Sequence, residues 1–90
     1  MEVRANTRLV NPAGLHARPC HSIVSLVRTY ESALAISAGG REVNGRSILE
    51  LMTLGAPCDT VLSLRATGED AAVLIAALVS LIESGFGECS

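Results

Sequence analysis

Apolar residues recur along this chain at two different spacings, and the alternation between the spacings constrains the fold more than any other feature. Between Val3 and Leu9, every second side chain is apolar or threonine and the residues between them are polar, as in a strand that buries one face. Across residues 17–30 the apolar side chains recur every three or four positions, which is typical of an amphipathic helix. The chain therefore begins as a strand, a loop at residues 11–14 and a helix.

The rest of the chain continues this change between strand and helix. In chain order it contains a strand around Leu34 and Ile36, a Gly39-Gly40 hairpin turn, a strand over residues 41–43, a short helix from 47 to about 54, a strand over 61–66 and a helix over 71–84. Gly85 follows the last helix and ends it. The predicted order is β-α-β-β-α-β-α.

The length and composition favour a single domain over residues 1–90. A chain of 90 residues buries about two thirds of the surface that it exposes when unfolded, which leaves room for one sheet and one layer of helices. Tyr30 and Phe86 are the only aromatic residues, so the core is built from Leu, Val, Ile and Ala. We expect an α+β domain with two layers: a four-stranded, largely antiparallel sheet with three helices on one face.

The charge and hydropathy patterns exclude several classes of function. The net charge is −2 and the seven cations, all arginine, form no basic run, so we expect no nucleic-acid partner. The first residues lack the apolar stretch of a signal peptide. The most apolar segment, residues 71–82, is short and is interrupted by Ser80. We therefore expect a cytoplasmic protein without membrane insertion.

The cysteines, Cys20, Cys58 and Cys89, are odd in number and far apart, which predicts reduced thiols rather than a disulfide framework or a zinc site. Cys20 lies beside His16 and His21, and this raises the alternative of a metal site or a cysteine nucleophile. Because Cys20 lies on the predicted buried stripe and no third soft ligand is nearby, we disfavour that alternative and expect no metal.

A loop leads into a helix at residues 14–19, Gly-Leu-His-Ala-Arg-Pro. This stretch suits the binding of a phosphoryl group. Pro19 fits a first helical turn, which places His16 at or beside the N-cap. The positive end of a helix attracts anions and disfavours an imidazolium, so a neutral ring nitrogen is available as a nucleophile. Arg18 offers charge-assisted hydrogen bonds to phosphate. The alternative is that His16 only caps the helix and Arg18 is a solvated cation.

Residues 11–19, Asn-Pro-Ala-Gly-Leu-His-Ala-Arg-Pro, and 45–55, Gly-Arg-Ser-Ile-Leu-Glu-Leu-Met-Thr-Leu-Gly, resemble HPr, the histidine-containing phosphocarrier family of the phosphoenolpyruvate-dependent phosphotransferase system. The resemblance implies an open-faced β-sandwich. It also implies a carrier with a transient phosphohistidine, rather than a stand-alone enzyme, that needs no cofactor. His16 would accept a phosphoryl group from phosphorylated enzyme I through Nδ1 and pass it to a histidine of enzyme IIA. Ala17 and Arg18 would bind the phosphate, and we expect a monomer.

Ser47 is open to two interpretations. The pattern Ser47-Ile48-Leu49-Glu50 is a capping box, which by itself explains a serine at this position. The resemblance implies that Ser47 is a regulatory serine, phosphorylated in some bacteria by an HPr serine kinase/phosphorylase. The alternative to a carrier is thus a regulatory binding module of the same fold, controlled by phosphorylation of Ser47.

The resemblance also implies a partner-docking surface, an apolar patch rimmed by Arg18 and Arg46. We assign to it Cys20, Arg46, Ile48, Leu49 and Met52. Of the apolar residues in the short helix, we expect Leu51 to be buried and Ile48, Leu49 or Met52 to be partly exposed.

Three features bear on which branch of the family the chain resembles. Ala13 stands where many relatives have a short polar side chain, and lysine is absent. The ending Ser84-Gly85-Phe86 resembles the nitrogen-related branch. The sequence leaves both the sugar branch and the nitrogen branch open.

Overall fold

Four strands and three helices, followed by a 3₁₀ turn, make up the computed structural model over the described residues 1–87. The elements are β1 (Glu2–Arg8), α1 (Ala17–Val27), β2 (Ala33–Ala38), β3 (Arg41–Asn44), α2 (Ile48–Met52), β4 (Val61–Thr67), α3 (Ala71–Glu83) and the 3₁₀ turn Gly85–Gly87. The predicted order is confirmed. The first helix ends three residues earlier than predicted, because the amides of Thr29 and Tyr30 donate to carbonyls only three residues back, at 3.0 Å each.

The strands form one sheet in the order β1-β4-β2-β3, and every neighbouring pair is antiparallel. Helix α3 packs on β1 and β4, while α1 packs against α2 and α3. The opposite face of the sheet presents polar side chains such as Asn6 and Ser63. The predicted two-layer α+β fold with three helices over one sheet is therefore confirmed.

The core lies between the sheet and the helices. Its largest fully buried side chains include Leu9, Ile23, Val27, Ile36, Leu51, Leu62, Leu64, Leu74, Leu78 and Ile82. Leu62 and Leu64 occupy the core face of β4 as their alternation predicts. The core is built from aliphatic side chains, with Tyr30 and Phe86 only partly buried against it.

Asp70 connects the start of α3 to the loop that follows α1. It precedes α3, but its carboxylate does not cap that helix; it accepts the amide of Glu31 at 2.8 Å and both the amide, at 3.0 Å, and the hydroxyl of Ser32. The Ser32 hydroxyl, followed by the Glu31 amide, lowers the pKa of Asp70 from its ordinary value of 3.8. The loop after α1 is thereby attached to the start of α3.

Side chains of β3 and α2 hold the shortest helix in place. Arg41 donates to the carbonyl and the hydroxyl of Thr53, at 2.8 and 2.9 Å, at the C-terminal end of α2. In the other direction, the Glu50 carboxylate accepts the amide of Asn44 at 3.0 Å. These bonds fix α2 although its five residues are too few for a stable isolated helix. In residues 1–87 no helix is both long and apolar enough for a membrane span.

Candidate functional site

His16 lies at the N-cap of α1 with an exposed side chain. Its backbone is extended, with φ −102° and ψ −168°, and its carbonyl accepts the Cys20 amide at 3.1 Å to close the first turn of the helix. The imidazole makes no capping hydrogen bond. The His16 side chain therefore does not cap the helix. The predicted place of His16 at the helix start is confirmed.

The first turn of α1 presents two backbone N–H groups to solvent beside His16. Within a helix the first N–H groups have no acceptor, and Ala17 and Arg18 find none elsewhere in residues 1–87. Pro19, the next residue, has no N–H to satisfy. Because unpaired amides and the positive end of the helix dipole converge here, this turn suits an anion.

The Arg18 side chain is exposed in the same turn. Among residues 1–87 its guanidinium has no ion-pair partner or hydrogen-bond acceptor. The nearby Ser22 hydroxyl donates to the backbone carbonyl of Arg18 and not to its side chain. An uncommitted guanidinium can donate two parallel hydrogen bonds to a phosphate. His16, the amides of Ala17 and Arg18, and the Arg18 side chain thus lie in one turn at the start of α1, and their part in phosphate binding stays a prediction.

The loop that carries His16 rests on the segment between α2 and β4. Gly14 has φ +69°, and a Cβ there would collide with Ala56 and lie 2.8 Å from the Pro57 backbone, so this position requires glycine. The next amide, that of Leu15, donates to the Ala56 carbonyl at 2.8 Å. Leu9 exchanges further backbone bonds with Asp59 and Thr60. The segment between α2 and β4 therefore fixes the backbone of the His16 loop.

Ser47 is the N-cap of α2, and its hydroxyl accepts the Glu50 amide at 3.2 Å. Only half of the predicted capping box forms, because the Glu50 carboxylate accepts from Asn44 rather than from the Ser47 amide. The capping role of Ser47 is confirmed. Its side chain is half-buried.

Exposed apolar side chains lie on α2. Leu49 is 76% exposed and Met52 46%, and Ile48 is half-buried, whereas Leu51 is fully buried. These exposures match the expectation for the short helix. Large apolar side chains that remain exposed together are typical of an interaction surface.

The assignment of Cys20 to the docking surface is wrong. Its side chain is fully buried against the core, so a partner cannot contact it. Burial also raises the pKa of the Cys20 thiol, which disfavours the thiolate that a nucleophile requires. Among residues 1–87 no group of three potential ligands is placed to hold a metal ion. Cys89 lies outside the described residues.

Arg46 lies away from His16. One guanidinium nitrogen, Nη1, donates to the carbonyls of Val27, Tyr30 and Ser32 at 3.1 to 3.2 Å, just past the C-terminal end of α1. Arg18 is in the first turn of this helix, so the two arginines lie at opposite ends of α1, whose 11 residues span about 16 Å at 1.5 Å per residue. Arg46 therefore has a structural role at the end of α1 through this one nitrogen, while its side chain is exposed directly before α2 and its part in docking stays a prediction.

Sequence patterns missed one residue beneath the site, Asn11. Its side chain is 2% exposed, and its Nδ2 donates to the Gly14 carbonyl at 2.7 Å. An asparagine that opens a glycine-containing turn commonly bonds back to the turn backbone, and this signal was available in the sequence.

Comparisons with known proteins agree with this geometry. The family model described as the phosphorylation site of the HPr component of the phosphotransferase system matches residues 3–84. The phosphocarrier protein HPr of Xylella fastidiosa is 39% identical over 80 residues, which cover 89% of this chain and 90% of that protein.

Two solved structures from Thermoanaerobacter tengcongensis are similar to the chain. One, titled HPr-C-His, has a TM-score of 0.92 at 36% identity and covers 98% of this chain and 99% of its own. The other, titled an HPr dimer, has a TM-score of 0.76 at 41% identity and covers 83% and 86%. An exposed histidine at a helix start, a matching fold and a family match over most of the chain lead to one conclusion: this chain belongs to the HPr family of phosphocarriers of the phosphotransferase system.

Proposed function

We propose that this chain accepts a phosphoryl group on His16 from phosphorylated enzyme I and transfers it to a histidine of an enzyme IIA protein. The observation that carries the proposal is the exposed imidazole at the N-cap of α1, beside two N–H groups that lack acceptors in residues 1–87. Such a site can hold a phosphoryl group while leaving it open to a second protein. The proposed partners are cytoplasmic, and we propose the same location for this chain.

In the proposed step, a neutral ring nitrogen of His16, Nδ1 by family resemblance, attacks the phosphorus. The new N–P bond forms as the N–P bond on enzyme I breaks, and the departing imidazole keeps the bonding electron pair. The Ala17 and Arg18 amides and the Arg18 guanidinium stabilise the negative charge on the phosphoryl oxygens. Positioning and electrostatics are sufficient for this chemistry, so a shallow, exposed site suits it.

The exposed side chains of Leu49 and Met52, with the half-buried Ile48, are the proposed docking surface for both partners. Docking on α2 would bury apolar area on a helix that packs against α1, whose start carries His16. We further propose that phosphorylation of Ser47 by a serine kinase regulates docking. A phosphate at this N-cap stays compatible with the helix and adds charge beside Ile48.

The proposed relay is tested by incubating the chain with enzyme I and phosphoenolpyruvate. We expect one phosphoryl group that is labile in acid and stable in base, and its loss in His16→Ala. His21→Ala is the matched control, because His21 is exposed on the same helix. Cys20→Ala tests the thiol alternative. Labelling that survives in His16→Ala, or that disappears in Cys20→Ala, would contradict the proposal.

A further inference from the structure

Asn11 closes the loop before His16 with both its backbone and its side chain. The Gly14 amide donates to the Asn11 carbonyl at 3.1 Å, and the Asn11 Nδ2 donates to the Gly14 carbonyl at 2.7 Å. The residue is 2% exposed, so water does not compete readily for these bonds. A buried amide side chain thus determines where the Gly14 carbonyl points.

The Gly14 carbonyl in turn holds His16. It accepts the His16 amide at 3.1 Å, a bond between residues two apart that closes a tight turn. On the other side of the same peptide unit, the Leu15 amide donates to Ala56. The peptide between Gly14 and Leu15 is therefore anchored at its oxygen by Asn11 and at its nitrogen by Ala56.

We propose that Asn11 is a positioning residue for phosphoryl transfer at His16; this inference rests on the proposed function. Asn11 supplies a side chain to this anchor, whereas Ala56 and His16 supply backbone groups. Without the Nδ2 donor, the Gly14 carbonyl keeps only the bond from the His16 amide, and the peptide tilts about its remaining anchor, the Leu15 amide bond to Ala56. The backbone of His16 then shifts relative to the Ala17 and Arg18 amides, and the imidazole leaves the geometry that transfer requires.

The expected signature is a slower chemical step with intact partner binding. A shift of about 1 Å at a reacting group can cost about a hundredfold in rate. For Asn11→Ala we expect kcat for phosphorylation by enzyme I to fall at least about tenfold. We expect KM for enzyme I to change less than about twofold, because the proposed docking side chains are on α2 rather than in this loop. Thr7→Val is the matched control: Thr7 is also buried and polar but lies in β1, and this variant should keep the parent kcat.

Asn11→Asp provides a readout that a purely structural role would not change. Its ionised carboxylate offers only acceptors to the Gly14 carbonyl, whereas its protonated form donates an O–H to it. The rate of this variant relative to the parent should therefore rise as the pH falls from 8 to 5. The other titratable groups of the loop and of the segment beneath it, His16, Cys58 and Asp59, are present in both proteins.

A second measurement does not depend on enzyme I. Inorganic phosphate is titrated into isotope-labelled protein while the amide signals of Ala17 and Arg18 are followed by NMR. We expect saturable shifts in the parent and in Thr7→Val, and weaker binding in Asn11→Ala, because the two amide donors are then misaligned. Unchanged phosphate binding and kcat in folded Asn11→Ala, or a flat pH ratio for Asn11→Asp, would overturn the inference. A parent that binds phosphate but is never labelled by enzyme I would instead contradict the proposed relay.

Discussion

At the scale of single residues, the site consists of one imidazole and the groups that surround it. His16 and Arg18 are both exposed, and neither contributes to the buried core. Their placement depends on residues with no proposed part in the chemistry: Gly14 for its positive φ, Pro19 for the helix start and Asn11 for the loop. The residues proposed to contact the phosphoryl group and the residues that support them are thus separate sets.

Arg18→Ala should slow transfer while leaving the fold intact. A charged hydrogen bond contributes about 1.5 to 3 kcal/mol, so we expect a reduction of about ten- to a hundredfold in kcat/KM with enzyme I. The free energy of unfolding should change by less than about 0.5 kcal/mol, because the side chain is exposed. Kinetics and urea denaturation measure the two quantities. The control is Arg28→Ala, because Arg28 is an exposed cation just past the other end of α1. Unfolding of Arg18→Ala would contradict the interpretation that the site is open to solvent.

At the scale of secondary-structure elements, two helices rely on arginines from elsewhere in the chain. Neither α1 nor α2 has a basic residue in its last turn, and both C-terminal ends carry a partial negative charge. Arg46 donates to carbonyls at the end of α1, and Arg41 donates to Thr53 at the end of α2. These contacts attach the two helices that frame the site to the β3 strand and the turn that follows it.

Arg46→Ala should destabilise the protein without slowing transfer. The residue is mostly exposed, so its three hydrogen bonds contribute less than buried ones, and we expect a loss of about 1 kcal/mol in the free energy of unfolding. Arg8→Ala removes an exposed arginine from β1 and serves as the control. Chemical denaturation gives the stability. Parent-like stability together with a raised KM for enzyme I would instead favour the docking role of Arg46.

Leu49→Glu should weaken docking. Leu49 is 76% exposed, so a charged side chain there is hydrated in the free protein but is placed in an apolar contact when a partner binds. We expect KM for enzyme I to rise about tenfold, which corresponds to about 1.4 kcal/mol. The matched control is Val73→Glu, since Val73 is 60% exposed on α3. Equal effects of the two substitutions would mean that α2 is not the docking surface.

At the scale of the whole molecule, the single sheet and its helices are joined by contacts between residues distant in the chain. Asp70 shows this most clearly, because its carboxylate connects the start of α3 with the amides of Glu31 and Ser32, 39 and 38 positions earlier. The lowered pKa of Asp70 makes this connection dependent on pH.

Acid should weaken the fold through Asp70. Because its pKa is lower in the folded protein than in the unfolded chain, the carboxylate contributes its full stability above the ordinary value of 3.8 and loses it as the pH falls through the lowered value. Asp70→Asn should be less stable at pH 7 and should show a flatter loss of stability in acid. Urea denaturation between pH 2.5 and 7 measures this, with Glu69→Gln as the control. Parallel curves for Asp70→Asn and the parent would exclude this role.

The sequence by itself determined the order of strands and helices, the position of His16 at a helix start and the capping by Ser47. Each of these depends on residues close together in the chain: the apolar period, a glycine, a proline or a serine three residues from a glutamate. Only the tertiary structure decided that Cys20 is buried, that Arg46 binds the end of α1, that Asp70 binds the loop after α1 and that Ala56 supports the His16 loop. These contacts join residues between 14 and 41 positions apart, and a local pattern cannot specify such a partner because it is chosen by packing.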